Sequence, residues 1–188
     1  MNIGETLYVT NRSKWRKWLK KNHIKNKEIW LIYYKKDSGK KRIDYNDAVE
    51  EALCFGWIDS IVKKIDEERY AQRFSPRKRT SVLSQPNFER LNKLIRQMKM
   101  TKAGLDAVSH VYDPKEKDKL FMSGDILKEF KKNKIAWENF QKFPKVYQRI
   151  RIAYLESRRI HGKEMFDKSL KYLIKNSEKN IKIGIVKL

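Results

Sequence analysis

One cysteine, Cys54, is all the thiol chemistry in 188 residues. It excludes an intramolecular disulfide and a zinc site built from several cysteines. Long apolar runs are missing as well. The longest, Ile29-Trp30-Leu31-Ile32-Tyr33-Tyr34, has six residues, whereas a helix crossing a bilayer needs about 20. The residues from Met1 to Glu5 show neither a basic n-region nor an apolar h-region, so no signal peptide is expected and the chain reads as a cytoplasmic protein. A phosphate-binding P-loop, a dinucleotide glycine pattern and a glycine-flanked serine elbow are all absent. His23, His110 and His161 are scattered without ligand spacing, so neither a metal nor a cofactor is expected.

Acidic side chains are scarce relative to basic ones: 23 against 45, for a formal charge of +22. The excess is uneven. Residues 1–42 carry +10, residues 43–126 carry +1 and residues 127–188 carry +11. A basic surface attracts nucleic acid, acidic lipid or acidic protein. Lys outnumbers Arg 32 to 13, however, and Ile and Asn are frequent, a pattern that AT-rich codon usage also produces. Phosphate and base recognition favours the planar Arg fork, so the charge alone does not identify a nucleic-acid binder.

What is present is enough for a core, with 40% hydrophobic and 12% aromatic residues. Leu7 to Val9 reads as a short strand. A helix follows to about Asn22, capped by Thr10 or Ser13, with Trp15, Trp18 and Leu19 on one face. Glu28 to Lys35 reads as a central strand, apolar on both faces. Asp44 or Asn46 opens a second helix that Gly56 ends in a left-handed cap. Trp57–Ile65 and Tyr70–Ser75 then form a hairpin around Asp66–Arg69. Helices are expected near 87–99, 101–110, 126–132, 136–143, 145–157 and 162–176. The fold class is therefore α+β, a small antiparallel sheet packed with helices and followed by a helical C-terminal unit. The domain reading is 1–111, a linker at 112–125, and a helical region at 126–188.

The chemically informative residues lie in the nearly neutral centre. With a loop at Asp66–Arg69, residue numbers across the hairpin sum to 135, so Lys63 opposes Gln72 and Asp59 approaches Pro76. Asp59 then lies at the open end of the hairpin, near Arg77 and Arg79. Two readings follow. In one, Arg73, Arg77 and Arg79 hold an anion while Trp57, Asp59, Ser81, Ser84 and Asn87 complete the pocket. In the other, Asp59 and Arg77 staple the hairpin to the next loop, and Ser84 or Asn87 caps a helix. No catalytic residue is assigned. Cys54 sits at a helix C-terminus, which disfavours a thiolate. Glu50-Glu51 and Glu67-Glu68 are sequence neighbours that do not share a helix face, poor geometry for an acid/base couple. The tryptophans read as core rather than as a stacking surface. Trp137, Phe140 and Phe143, continued by Tyr147, Ile150 and Tyr154, read as a packing stripe.

Glu51-Ala-Leu-Cys-Phe-Gly-Trp-Ile-Asp-Ser60, Tyr70-Ala-Gln-Arg-Phe-Ser-Pro-Arg-Lys78, Ser81, Ser84 and Asn87 together resemble the YdeI/OmpD-associated (OmdA-like) family, which carries the label bacteriocin-protection protein. The likeness spans residues 43–104, ending in Met100-Thr101-Lys102-Ala103-Gly104. It extends more weakly to Trp15–Leu19, Glu28–Leu31 and Glu156–Ile160. Relatives carry an aromatic where this chain has Leu83. The resemblance implies a cytoplasmic protein linked to tolerance of bacteriocins or cationic antimicrobial peptides, with no reaction and no catalytic residues to carry over. The leading expectation is thus a non-enzymatic stress-tolerance protein with an anion-accepting pocket. The alternatives are a nucleic-acid-binding module using the basic ends and an enzyme acting on an anionic small molecule.

Overall fold

The computed structural model describes residues 2–116 and 119–184. The described residues form two compact units. The first comprises the described residues to Leu83 together with Arg90–Asp113, and the second comprises Ser84–Glu89 and the described residues from Pro114 onward. Of the expected linker, residues 117 and 118 lie outside the described residues.

The first unit is built on a four-stranded sheet of order β1-β2-β4-β3. Strand β1 (Thr6–Leu7) pairs parallel with β2 (Ile29–Tyr34), whereas β2, β4 (Arg69–Pro76) and β3 (Trp57–Lys64) run antiparallel. The α+β class is as expected, but the parallel β1 makes the sheet mixed. Helix α1 (Arg12–Asn22) starts at Asn11, whose side chain accepts from the Lys14 amide, rather than at Thr10 or Ser13. Helix α2 (Tyr45–Cys54) is capped by Asp44 accepting from the Asn46 amide, and Gly56 follows it at φ +75°. Helix α3 spans Gln85–Arg96, and the short α4 spans Lys102–Asp106.

One face of the sheet supplies the core. Ile29, Leu31 and Tyr33 of β2 stand beside Phe74 and Tyr70 of β4, and Trp57 completes the row from β3. Trp15 of α1 stacks on Trp18 at 5.2 Å and meets Phe74 edge-on at 5.5 Å. Both buried indoles have a carbonyl partner: Trp15 donates to Ala48 and Trp57 donates to His23. Leu91 and Leu94 of α3 join the same cluster. The tryptophan reading holds for Trp15, Trp30 and Trp57, all fully buried.

The hairpin departs from its expected register. The Asp66 carboxylate accepts from the Glu68 and Arg69 amides, and both Ile65 and Asp66 donate to the Arg69 carbonyl. This tight Asx turn makes Lys64 face Tyr70 and Lys63 face Ala71, a slip of one residue. A bulge between Asp59 and Val62 shifts the pairing again, so Asp59 opposes Phe74 rather than approaching Pro76.

Helices α1, α2 and α3 are joined by charge as well as by apolar contact. Glu50 and Glu51, adjacent on α2, are 3% and 2% exposed. Arg12 pairs with Glu50, Glu51 and the half-exposed Asp47, Arg16 pairs with Glu51 at 2.6 Å, and Lys93 of α3 pairs with Glu50 at 3.0 Å. Burial pushes the Glu50 carboxyl up, but hydrogen bonds from Lys93 and Arg12 outweigh it and hold the group below its ordinary range.

The second unit contains α5 (Gly124–Lys131), α6 (Lys134–Lys142), α7 (Lys145–Arg158) and α8 (Lys163–Glu178). Its core gathers Ile126, Phe130, Phe140, Phe143, Leu155, Phe166 and Leu170. Within this unit the buried Arg149 holds Glu89, with Nη2 to Oε2 at 2.9 Å. The expected stripe holds through Ile150, but Tyr154 is 44% exposed, its ring flanked by the guanidinium groups of Arg151 and Arg158 at 5.4 and 5.7 Å. No helix among the described residues is long and apolar enough to cross a membrane.

Removing one partner of a buried ion pair strands the other charge and costs about 3–5 kcal/mol. Glu51→Ala should therefore lower the unfolding free energy measured in urea by an amount of that order, more than the exposed Glu67→Ala. Because the Glu50 carboxyl is depressed in the folded state, its contribution is present above the ordinary carboxylate pKa of about 4.3 and is lost as pH falls through that region. Denaturation midpoints measured from pH 7 to pH 3 should drop at the acid end, and that drop should shrink in Glu50→Gln.

Candidate functional site

The structure separates the residues that the sequence grouped. Arg73 lies on the face of β4 opposite the core and pairs with Glu28, Nη2 to Oε2 at 2.7 Å, with weaker 3.4 Å contacts to Ser60 and Ser75. Trp57 is packed against Trp18 at 5.8 Å. Arg79 is exposed. Ser84 is the exposed residue immediately before α3, and its carbonyl accepts from the Phe88 amide. Asn87 is half-buried on the first turn of α3. Ser84 and Asn87 belong to the second unit, whereas Trp57, Asp59, Arg73, Arg77, Arg79 and Ser81 belong to the first.

Asp59 takes part in neither of the two arrangements anticipated for it. Asp59 lies on the core face, the face it shares with Phe74 and Gln72, and its Oδ2 accepts from Tyr45 Oη at 3.0 Å and from Gln72 Nε2 at 2.8 Å. Burial, then the Asp59 charge, push the Tyr45 phenol up to about 12, so it acts as a donor and not as a base near neutrality. Tyr33 stacks on Tyr70 at 5.2 Å, is 1% exposed, and its hydroxyl has no hydrogen-bond partner. Burial raises its pKa above the ordinary phenol value. Arg90 of α3 donates to Asn46 Oδ1 at 2.8 Å, and burial lowers its pKa against the opposing pull of Tyr45, Asp59 and Glu50. Tyr33, Tyr45, Gln72 and Arg90 were not singled out from the sequence. Gln72 alone carried a local signal, as a polar residue alternating with Tyr70 and Phe74 on an inward-facing row.

Arg77 is the remaining member of the expected set, and its setting is different in kind. Its amide donates to the Gly56 carbonyl at 2.8 Å, continuing the hairpin past Pro76. Its Nη2 donates to the carbonyls of Val82 at 2.6 Å and Ser81 at 3.3 Å, which folds the 78–82 loop around the guanidinium. The residue is 8% exposed, and its buried Nε and Nη1 have no partner among the described residues. Among the described residues no carboxylate pairs with it, and burial alone pulls its pKa below the usual guanidinium value. The arrangement presents a buried cation with two unused donor groups.

Other chemistry finds no support in the geometry. Burial, reinforced by Glu51, pushes the Cys54 thiol up to about 11, leaving it a packed core thiol. No group of three or more His, Cys, Asp or Glu side chains among the described residues could hold a metal ion.

Residues 7–107 match the model of a family described as Domain of unknown function (DUF8412). The chain belongs to the DUF8412 family. The matched span covers more than half of the sequence and includes the whole sheet from Leu7 onward, Arg77 and the Asp59 network. No curated protein and no solved structure matches the chain.

If the Asp59 network supports this DUF8412 sheet, Tyr45→Phe should leave the fold intact and cost about 1–3 kcal/mol, the range for a buried acceptor deprived of a donor. Equilibrium urea unfolding reads this directly. Tyr34→Phe, outside the network, is the control.

Proposed function

We propose that this chain is a non-enzymatic binder of an anion, recognised at Arg77. The observation that carries this reading is the buried guanidinium that the fold surrounds with two carbonyls but no carboxylate. An isolated buried charge costs several kcal/mol. An oxyanion that accepted from Nε or Nη1 would partner a donor that the protein leaves unused and neutralise the charge. The anion is read as a carboxylate or a phosphate-type group, either of which accepts a charge-assisted hydrogen bond from a guanidinium.

The resemblance to the YdeI/OmpD-associated family supports a role for such recognition in tolerance of bacteriocins or cationic peptides, in the cytoplasm. A chain of charge +22 repels a cationic peptide, so the protective role is read as indirect and exerted through an anionic ligand or partner. The competing nucleic-acid reading is weakened by the burial of Trp15, Trp30 and Trp57, which removes three of the five tryptophans from any base-stacking surface.

Thermal denaturation in an inert buffer, with inorganic phosphate or citrate added at constant ionic strength, tests the site. Ligand at about a hundredfold excess over its Kd stabilises the native state by about 2.7 kcal/mol, a rise of several degrees in Tm. Arg77→Met should abolish that rise, while Arg73→Met, whose guanidinium is already paired with Glu28, should retain it. An equal anion-dependent rise in wild type and Arg77→Met would overturn the proposal.

A further inference from the structure

A second feature of the DUF8412 unit lies outside the Arg77 setting. A groove of about 370 Å³ is lined by Arg16, Lys20 and His23 of α1 and its C-terminal cap, by Phe55, and by Thr101, Lys102 and Ala103 at the start of α4. Its walls are fixed by close backbone approach. The Thr101 amide and hydroxyl both donate to the Cys54 carbonyl, at 3.1 and 2.7 Å. A Cβ on Gly104 would collide with that same carbonyl, and one on Gly56 would lie 2.9 Å from the Ala103 carbonyl. Thus Gly56 and Met100-Thr101-Lys102-Ala103-Gly104 hold the end of α2 against α4 and thereby shape the groove.

The lining is of one charge sign. It contains Arg16, Lys20 and Lys102 and no acidic residue. The Arg16 guanidinium is pinned over the Phe55 ring at 5.3 Å by Glu51 and the Lys99 carbonyl. Lys20 is exposed and makes no ion pair among the described residues, and Lys102 pairs only with exposed Asp106 one turn on, a contact of little net value. Phe55 and Ala103 provide an apolar floor between these cations. Half-buried Ala103 leaves room for an aliphatic side chain, whereas Phe55, 6% exposed and covered by Arg16, offers no open ring face to a nucleobase.

We propose that this groove docks an acidic peptide segment, with an apolar side chain over Ala103 beside Phe55 and flanking carboxylates on Lys20 and Lys102. The segment binds as a partner of opposite charge, and the groove supplies the selectivity that diffuse positive charge lacks.

Isothermal titration at low salt tests this with an octapeptide of six acidic residues around two leucines. The comparison ligands are the same peptide with serines for leucines and a single-stranded DNA octamer. The leucine peptide should bind more tightly than the serine peptide. Lys20→Glu/Lys102→Glu should weaken it by about tenfold or more, the scale of one lost charged contact. Lys14→Glu/Lys21→Glu, which changes net charge equally from the other side of α1, should weaken it far less. Circular dichroism confirms that both variants are folded. Absence of binding, equal losses in the two double variants, or tighter groove-dependent binding of the DNA octamer would each overturn the proposal. None of these readouts depends on Arg77, so the two sites stand or fall separately.

Discussion

The carboxylates of Glu50 and Glu51 are the constraint on which the first unit depends. They sit side by side on α2, almost without solvent; both pair with Arg12, and each takes a second cation, Glu51 from α1 and Glu50 from α3. Arg12 and Arg16 approach from α1, and Lys93 approaches from α3. Apolar contact alone would allow α1 to slide or rotate on α2 at small cost. Two buried carboxylates forbid this, because any displacement that frees one leaves a charge in a low-dielectric interior. The same carboxylate of Glu51 anchors Arg16 over Phe55, so the position of the helices and the geometry of the basic groove share one origin.

Helix position in turn sets what the sheet can hold. With α2 fixed, Tyr45 on its first turn reaches across to Asp59 on β3, and Gln72 on β4 supplies the second donor. A polar pair on the inward face of a sheet is tolerable only when satisfied in this way. Asp59 stands beside Phe74 rather than Pro76 because the Asp66 turn and the bulge after Asp59 together shift the hairpin pairing by two residues at that point, which keeps its face and moves it along the strand. A carboxylate in a turn therefore decides the environment of a carboxylate at the far end of the same strand. This excludes the direct Asp59–Arg77 staple and leaves Arg77 without an acid.

Local signals explain which parts of this were legible in the sequence. The apolar run of β2, the Trp15/Trp18/Leu19 face and Gly56 after α2 are each encoded within a few residues, and each appears where the pattern puts it. The hairpin was visible, but its register was not. Register depends on whether Asp66 closes the turn through backbone amides, a choice that leaves no mark in hydrophobic alternation. The Tyr33–Tyr45–Asp59–Gln72 grouping draws on β2, α2, β3 and β4, so only tertiary structure assembles it. Glu50-Glu51 reads as an adjacent pair that does not share a helix face, yet the Arg12 guanidinium reaches both carboxylates; sequence cannot supply that shared partner or the burial of both groups.

Charge, the most conspicuous feature of the composition, divides by residue type. Several arginines are structural: Arg12, Arg16, Arg69, Arg73, Arg149 and Arg159 all pair with carboxylates. Most lysines lie on the surface, where the high dielectric makes their contribution long-ranged but weak. A functional reading therefore cannot rest on the total of +22. It must rest on cations whose surroundings depart from these two patterns. Arg77 departs from the first, being buried like the structural arginines yet lacking the carboxylate that makes burial tolerable. Lys20 and Lys102 depart from the second, because an apolar floor lies between them and a fixed Arg16 stands beside it. Desolvation strengthens a charge contact in the first case and adjacent apolar surface adds selectivity in the second. An anion recognised by either would be distinguished from bulk counterions by the geometry of the protein.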